Sequence, residues 1–266
     1  MVMATLHEPA QLASLILGAL GPARHLALLL DYDGTLVPIA RRPELAKADP
    51  ELPALLNRLA LHPRISVAVV SGRGLKDLQS ILGGTGRFYL FAEHGGVGAW
   101  PDGTTRPLLE DTEASQLERI RVRLRDVVWP EGVWVEEKQM ALALHTREAP
   151  RSHVPRAQEL FRRVVGETDG GSGLTIMAGK EVLELRPCGL DKGLVVDCLR
   201  DRLADIAPLL VAMGDDRTDE DAFARLDPAD FAIRVGDVEG ETAARFQLAD
   251  PHAVRLFLHG VITGLT

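Results

Sequence analysis

Cysteine is scarce in this chain. Cys188 and Cys198 are the only two among 266 residues, and with no secretory leader a disulfide framework is not expected; both read as ordinary buried or surface thiols. Long hydrophobic runs are missing as well. No stretch reaches the ~18 apolar residues that a membrane-spanning helix requires. The Leu12 to Leu20 stretch is apolar, but Glu8 precedes it, no basic lead-in is present, and Gly21-Pro22-Ala23-Arg24 follows. It reads as an amphipathic helix on a cytoplasmic protein rather than a signal peptide. Positive charge is in deficit, with a formal net charge of -8, so the chain has no general attraction for nucleic-acid phosphates. A small anionic ligand could still bind where positive groups and a metal converge. Internal repeats, low-complexity tracts and long charge runs are also lacking.

What is there suits a globular protein: 46% hydrophobic and 26% charged residues, enough for one large domain or for a core carrying a smaller insertion. His25 to Asp31, Ile65 to Val70, Phe88 to Ala92 and Leu209 to Met213 are short apolar runs. Each ends abruptly in polar residues, and a helix is expected from about Pro50 to Leu61. Apolar strands alternating with helices imply a parallel sheet whose ligands bind at the carboxyl ends of the strands, so the polar clusters should share one edge. Between about Leu109 and Val182 the texture changes. Helices at about Thr112 to Val128 and Pro155 to Val165 are expected around strands at Val133 to Glu136, Ala141 to Arg147, Leu174 to Met177 and Glu181 to Leu185. This order suggests an inserted α+β unit at 109–185, with the core formed by 1–108 and 186–266.

The strand ends carry the chemistry. Asp31-Tyr32-Asp33-Gly34-Thr35 places two carboxylates two residues apart at a strand mouth, with Gly34 permitting a tight turn. Hard oxygen donors of this kind suit Mg2+: the expected ligands are Asp31, the main chain at Asp33 and a third acid, Asp215. Asp31 is the candidate nucleophile, and Asp33 the candidate acid and base. Ser71-Gly72-Arg73 offers a hydroxyl and backbone donors for phosphate oxygens, although a simple helix cap would look the same. Lys192 opens a helix where its ammonium can neutralise the transferring group. Gly214-Asp215-Asp216-Arg217-Thr218-Asp219-Glu220-Asp221 packs five acids into eight residues beside an apolar strand. They would repel one another without a compensating cation. Glu220 and Asp221 also fit the acidic first turn of a helix.

Read in order, these four segments resemble the motifs of the haloacid dehalogenase superfamily of phosphatases. The resemblance implies a Rossmann-like α/β core, a parallel sheet flanked by helices, with an inserted α+β cap of the C2, type B class that closes over sugar phosphates. Ala92-Glu93-His94-Gly95, Val135-Glu136-Glu137-Lys138, Leu144-His145-Thr146-Arg147, Leu183-Glu184-Leu185-Arg186-Pro187 and the long acidic segment together resemble the trehalose-6-phosphate phosphatase family. That family resemblance implies Mg2+-dependent hydrolysis of trehalose 6-phosphate through an aspartyl phosphate, in trehalose biosynthesis. It implies catalytic roles for Asp31, Asp33, Ser71 and Lys192, and a metal site of Asp31, Asp33 and Asp215 supported by Asp219. Substrate contacts follow at Gly34, Gly72, Arg73, Glu93, His94, Asp216 and, on the cap, Glu136, Lys138, His145, Arg147, Lys180 and Glu184. His145 with Arg147, and Lys180 with Glu184, are expected to share a strand face. Gln139 and Thr146 depart from the family pattern, where glycine and an aromatic are usual.

The expected partners are a small sugar phosphate and a functionally linked, separate trehalose-6-phosphate synthase; no nucleic acid or membrane partner is expected, and the chain should act as a monomer. Rival readings are a phosphatase of sucrose 6-phosphate or mannosyl-3-phosphoglycerate, a phosphomannomutase-like transferase, or a catalytically silent sugar-phosphate sensor.

Overall fold

The computed structural model describes residues 4–265 apart from 23, 41–44, 85, 110–111, 170–172, 180 and 238–239. The chain divides into two compact units, one of Met1–Leu108 with Asp191–Thr266 and one of Leu109–Leu190. Among the described residues no helix is long and apolar enough to cross a membrane.

With strands numbered in chain order, the sheet of the first unit runs β1 (Thr5–Leu6), β13 (Phe246–Leu248), β12 (Phe231–Val235), β11 (Leu209–Gly214), β2 (Leu26–Asp31), β3 (Ile65–Val70), β4 (Tyr89–Ala92), β5 (Val97–Ala99), β6 (Thr105–Pro107). Pairing is parallel from β1 through β4 and antiparallel from β4 to β6. Strand β2 lies in the middle, and all six of its residues are buried. That is why it reads as an unbroken apolar run: a central parallel strand has both faces covered.

Alternate residues serve the two faces. Ala27 and Leu29 join Ala68, Val70, Leu210 and Ala212 against Val195, Val196 and Leu199 of α6 (Gly193–Arg202) and Ala222 and Phe223 of α7 (Asp219–Ala224). Leu26, Leu28 and Leu30, pointing the other way, are equally buried. Burying each leucine is worth about 1.5–3 kcal/mol. Helices α1 (Pro9–Leu20), α2 (Glu51–Ala60) and α8 (Pro251–Leu265) also pack together, with α2 on β3, while α3 (Leu75–Leu82) packs on β4. Because β2, β3, β4 and β11 are parallel, their carboxyl ends deliver Asp31, Ser71, Glu93 and Asp215 to one edge of the sheet.

The second unit has its own antiparallel sheet, ordered β7 (Trp134–Glu137), β8 (Leu142–His145), β10 (Val182–Pro187), β9 (Leu174–Gly179). Leu142, Leu144, Leu183 and Leu185 turn to one face. There they pack with Leu117, Ile120 and Leu124 of α4 (Thr112–Arg125) and Ala157, Phe161, Val164 and Val165 of α5 (Val154–Asp169). The period of two along β8 and β10 therefore leaves Ala143, His145 and Glu184 on the opposite face.

Two boundaries differ from the sequence reading. The expected return at 185/186 falls inside β10, and the second unit extends to Leu190. The expected strand to Arg147 stops at His145, because pairing with β10 ends at His145 opposite Val182.

Candidate active site

Asp31 ends β2 and is buried, as are Lys192, at the start of α6, and Asp219, the first residue of α7. The Lys192 Nζ donates to Asp31 Oδ1 and to Asp219 Oδ1, each at 2.7 Å. Asp31 Oδ2 is buried with no hydrogen-bond partner among the described residues. An ionised oxygen in that position costs several kcal/mol unless a cation or a reacting group meets it. Asp31, Asp215 and Asp219 bring one carboxylate oxygen each within 4.8 Å of one another, a spacing that suits a single ion.

The electrostatics of this cluster have a clear cause. Burial raises Asp31 to about 7, with Lys192 pulling it back and Asp215 pushing it further up. Burial also raises Asp219 to about 8, against the pull of Lys192. Asp215 rises to about 6 through burial and through repulsion from Asp219 and Asp216. Burial disfavours the Lys192 ammonium too, but Asp219 and Asp31 outweigh it and hold the group above the ordinary lysine range. Three acids facing one ammonium leave a deficit of positive charge, which a divalent cation would fill.

Gly34 makes room for this arrangement. Its φ of 89° lies in the left-handed region, and a Cβ there would overlap the Asp215 carboxylate. Thr35 Oγ1 reaches the same group, donating to Asp215 Oδ1 at 3.5 Å. Asp216 stabilises the turn behind it, accepting from Thr218 N at 2.8 Å and Thr218 Oγ1 at 2.7 Å, while its own N–H donates to Asp219 Oδ2 at 3.1 Å. Arg234, at the end of β12, donates to the carbonyl of Asp216 at 2.7 Å.

Asp33 is turned elsewhere. Its carboxylate takes a two-pronged grip from Arg73, Nε to Oδ2 at 2.6 Å and Nη2 to Oδ1 at 2.7 Å. Arg73 also holds Asp77 at 2.8 Å and lies over the Tyr32 ring. The Asp33 side chain is thus outside the carboxylate cluster.

Ser71 is buried, and its Oγ accepts from Arg73 N at 3.2 Å. The segment after β4 is tied to it: His94 N donates to the Ser71 carbonyl and Glu93 N to the Arg73 carbonyl, both at 2.9 Å. Glu93 and His94 both have positive φ, 53° and 57°, a strained conformation for side-chain-bearing residues that marks a constrained site. Gly72 lets His94 approach, since a Cβ there would lie 2.6 Å from His94 Nε2.

In the second unit, cross-strand pairing aligns Glu136, Ala143, Glu184 and Met177 in one row and Trp134, His145, Val182 and Gly179 in the next, on the face away from the helices. Lys138 Nζ donates to Glu184 Oε2 at 2.7 Å, and Arg186 lies 3.8 Å from Glu184 Oε1. His145 Nε2 donates to Glu136 Oε2 at 2.9 Å. That bond holds Glu136 below the usual carboxylate range despite burial. Arg147 is not beside His145: it sits in the turn past β8 and pairs with Glu181 at 3.1 Å. Lys180 lies outside the described residues. Trp134 and Arg186, which flank Glu136 and Glu184 two residues away along their strands, were not among the expected residues. Strict alternation along β7 and β10 is the signal that places them on this face.

Residues 29–252 match the model of the trehalose-phosphatase family. The chain belongs to that family. Its two-unit α/β architecture is the core-plus-cap fold of haloacid dehalogenase phosphatases. It is 36% identical over 247 residues to trehalose-phosphate phosphatase of Mycobacterium marinum, covering 87% of this chain and 60% of that protein. It is 35% identical over 237 residues to the bifunctional trehalose-6-phosphate synthase/phosphatase of Thermoproteus tenax, covering 89% of this chain and 32% of the relative. The chain therefore spans 32% of one of these relatives and 60% of the other. The solved structure of trehalose-6-phosphate phosphatase from Aspergillus fumigatus superposes with a TM-score of 0.71 at 27% identity, covering 98% of this chain and 100% of that one.

Proposed function

We propose that this chain is a cytoplasmic enzyme that hydrolyses trehalose 6-phosphate to trehalose and phosphate with Mg2+ as cofactor. The observation that carries the reading is Asp31, with one carboxylate oxygen held by Lys192 and the other buried and unpartnered beside two further acids. The donor set, carboxylates with a neighbouring main-chain carbonyl, is that of a hard oxygen-ligated ion. Asp31, Asp215 and the Asp33 carbonyl would hold the ion, with Asp219 in support. When bound, Mg2+ offsets the repulsion between carboxylate and phosphate and stabilises charge developing on the phosphoryl oxygens.

The residues then divide the work. Asp31 Oδ2 attacks phosphorus, forming an acyl phosphate as the bond from phosphorus to the sugar oxygen breaks. Asp33 delivers a proton to that departing oxygen. It then takes one from the water that attacks the aspartyl phosphate, releasing phosphate and restoring Asp31. In the resting arrangement Arg73 grips both oxygens of Asp33, so the acid role requires Asp33 to exchange Arg73 for the leaving oxygen. Lys192 neutralises Asp31 and the transferring group, and Ser71 with the Gly72 and Arg73 backbone cradles phosphate oxygens. Gly34, Glu93, His94 and Asp216 shape the surroundings. Glu136, Lys138, His145 and Glu184 recognise sugar hydroxyls, since polar groups paired to one sugar reject another that leaves them unpaired. A trehalose-6-phosphate synthase would supply the substrate, and the chain would act as a monomer.

Phosphate release from trehalose 6-phosphate, sucrose 6-phosphate, mannosyl-3-phosphoglycerate and glucose 6-phosphate, with and without Mg2+, tests this. Mg2+-dependent preference for the first is expected. Preference for another sugar phosphate would overturn the substrate assignment, and no turnover of any would favour a silent sensor.

Metal affinity should also depend on pH. Asp31, Asp215 and Asp219 have folded pKa values raised to about 7, 6 and 8, so in the ion-free protein their protonated forms are favoured. Their contribution to stability is full below the unfolded carboxylate value and is lost as pH climbs through about 6 to 8. A bound cation needs them ionised, so Mg2+ affinity should rise over the same window, with protons released on binding. Titration calorimetry at pH 6 and pH 8 checks this; equal affinities would contradict it.

A further inference from the structure

We infer that Trp134 is a sugar-stacking residue, presenting an aromatic face to the apolar side of a pyranose ring. This rests on the proposed sugar-phosphate substrate and extends it to a contact that the expected polar residues do not supply. Trp134 is 48% exposed, in contrast to Trp100, which is buried. It is nonetheless held in place: its ring lies on that of His145 with centroids 4.1 Å apart and planes 13° from parallel. His145 is in turn fixed by the hydrogen bond from Nε2 to Glu136 Oε2. A large side chain kept exposed and oriented by two successive contacts has already lost much of the rotational freedom that binding would otherwise cost.

The neighbouring residues indicate what it binds. Trp134 shares its face with Glu136, His145, Glu184 and Arg186, and cross-strand pairing puts the small Ala143 between Glu136 and Glu184. Hydroxyl-bonding acids and bases thus lie beside one aromatic plane at the edge strand β7. A pyranose has the matching chemistry: equatorial hydroxyls around its rim and aliphatic C–H groups on its faces, which pack on the electron-rich face of an indole.

The test compares Trp134→Ala and Trp134→Phe with the parent chain on trehalose 6-phosphate and on acetyl phosphate, which has no ring. For Trp134→Ala, the ratio of kcat/KM on the sugar phosphate to that on acetyl phosphate should fall about three- to tenfold, mainly through KM, and Trp134→Phe should recover most of it. Equal losses on both substrates, or no loss on either, would overturn the stacking role. Saturation-transfer NMR with trehalose provides a readout independent of turnover: transfer to ring protons should be present in the parent chain and weakened in Trp134→Ala. If another sugar phosphate is the better substrate, the ratio is measured on that one, so failure of the trehalose reading and failure of the Trp134 reading give different results. A parent chain that neither turns over nor binds any of these sugars overturns both.

Discussion

Asp31→Asn should lower kcat on trehalose 6-phosphate by about ten-thousandfold or more while leaving the fold intact. Asparagine occupies the same volume and keeps an oxygen for Lys192 Nζ, which now donates to Asp31 Oδ1 at 2.7 Å. What it loses is the anionic oxygen to which the attack on phosphorus is assigned. The deficit should appear in kcat, because the groups assigned to the sugar lie in the second unit and are untouched. Single-turnover kinetics beside a circular dichroism spectrum and a melting curve make the comparison. Activity within tenfold of the parent chain would mean that Asp31 is not the nucleophile.

Removing Lys192 should have the largest effect on stability. Lys192 is 3% exposed, and its ammonium bridges Asp31 and Asp219, which are buried with it. Taking away one member of a buried ionic group leaves the others uncompensated, at a cost of about 3–5 kcal/mol. For a chain of this size that corresponds to a melting temperature lower by roughly 10 °C. Lys192→Met preserves most of the volume, so an effect as large as that of Lys192→Ala assigns the loss to charge rather than to a cavity. The sign with pH follows from the raised values of Asp31 and Asp219. Without the ammonium these carboxyls favour the protonated form still more, so destabilisation should be small at pH 5 and grow toward pH 8. Asp219→Asn in the Lys192→Met background should restore part of the loss. A melting temperature within 2–3 °C of the parent at pH 8, less than about 1 kcal/mol on this scale, would contradict the ionic account.

The parts of this site that were legible in the sequence share one property: they end an apolar run. Asp31 ends β2 while Ser71 and Asp215 follow β3 and β11, and in a parallel sheet the ends of such runs must meet on one edge. Lys192 and Asp219 were found by position and acid density, but their shared contact with Asp31 joins residues far apart in the chain and depends on how α6 and α7 begin. The grip of Arg73 on Asp33 and Asp77 had no linear signal either, because it is set by side-chain rotamers. Strands β1 and β13 have two and three residues, too short for any periodicity to show. In the inserted unit, alternation along β8 and β10 sets the helix-packed Leu142, Leu144, Leu183 and Leu185 against His145 and Glu184 on the other face. Alternation cannot say where a strand stops, so Arg147 was placed beside His145 although pairing ends before it. Trp134 went unnoticed for a related reason: an aromatic on a strand is ordinarily read as core, and only its stack on His145 and its exposure distinguish it.

The most direct measurement is chemical trapping of the phosphorylated enzyme. The chain is mixed with trehalose 6-phosphate and Mg2+, quenched in the steady state and reduced with borohydride, which converts an aspartyl phosphate to homoserine; the modified peptide is then located by mass spectrometry. The account predicts homoserine at position 31, dependent on both the sugar phosphate and the metal ion, and absent from Asp31→Asn. Rapid phosphate release with no modification at position 31, or modification at another carboxylate, would contradict it.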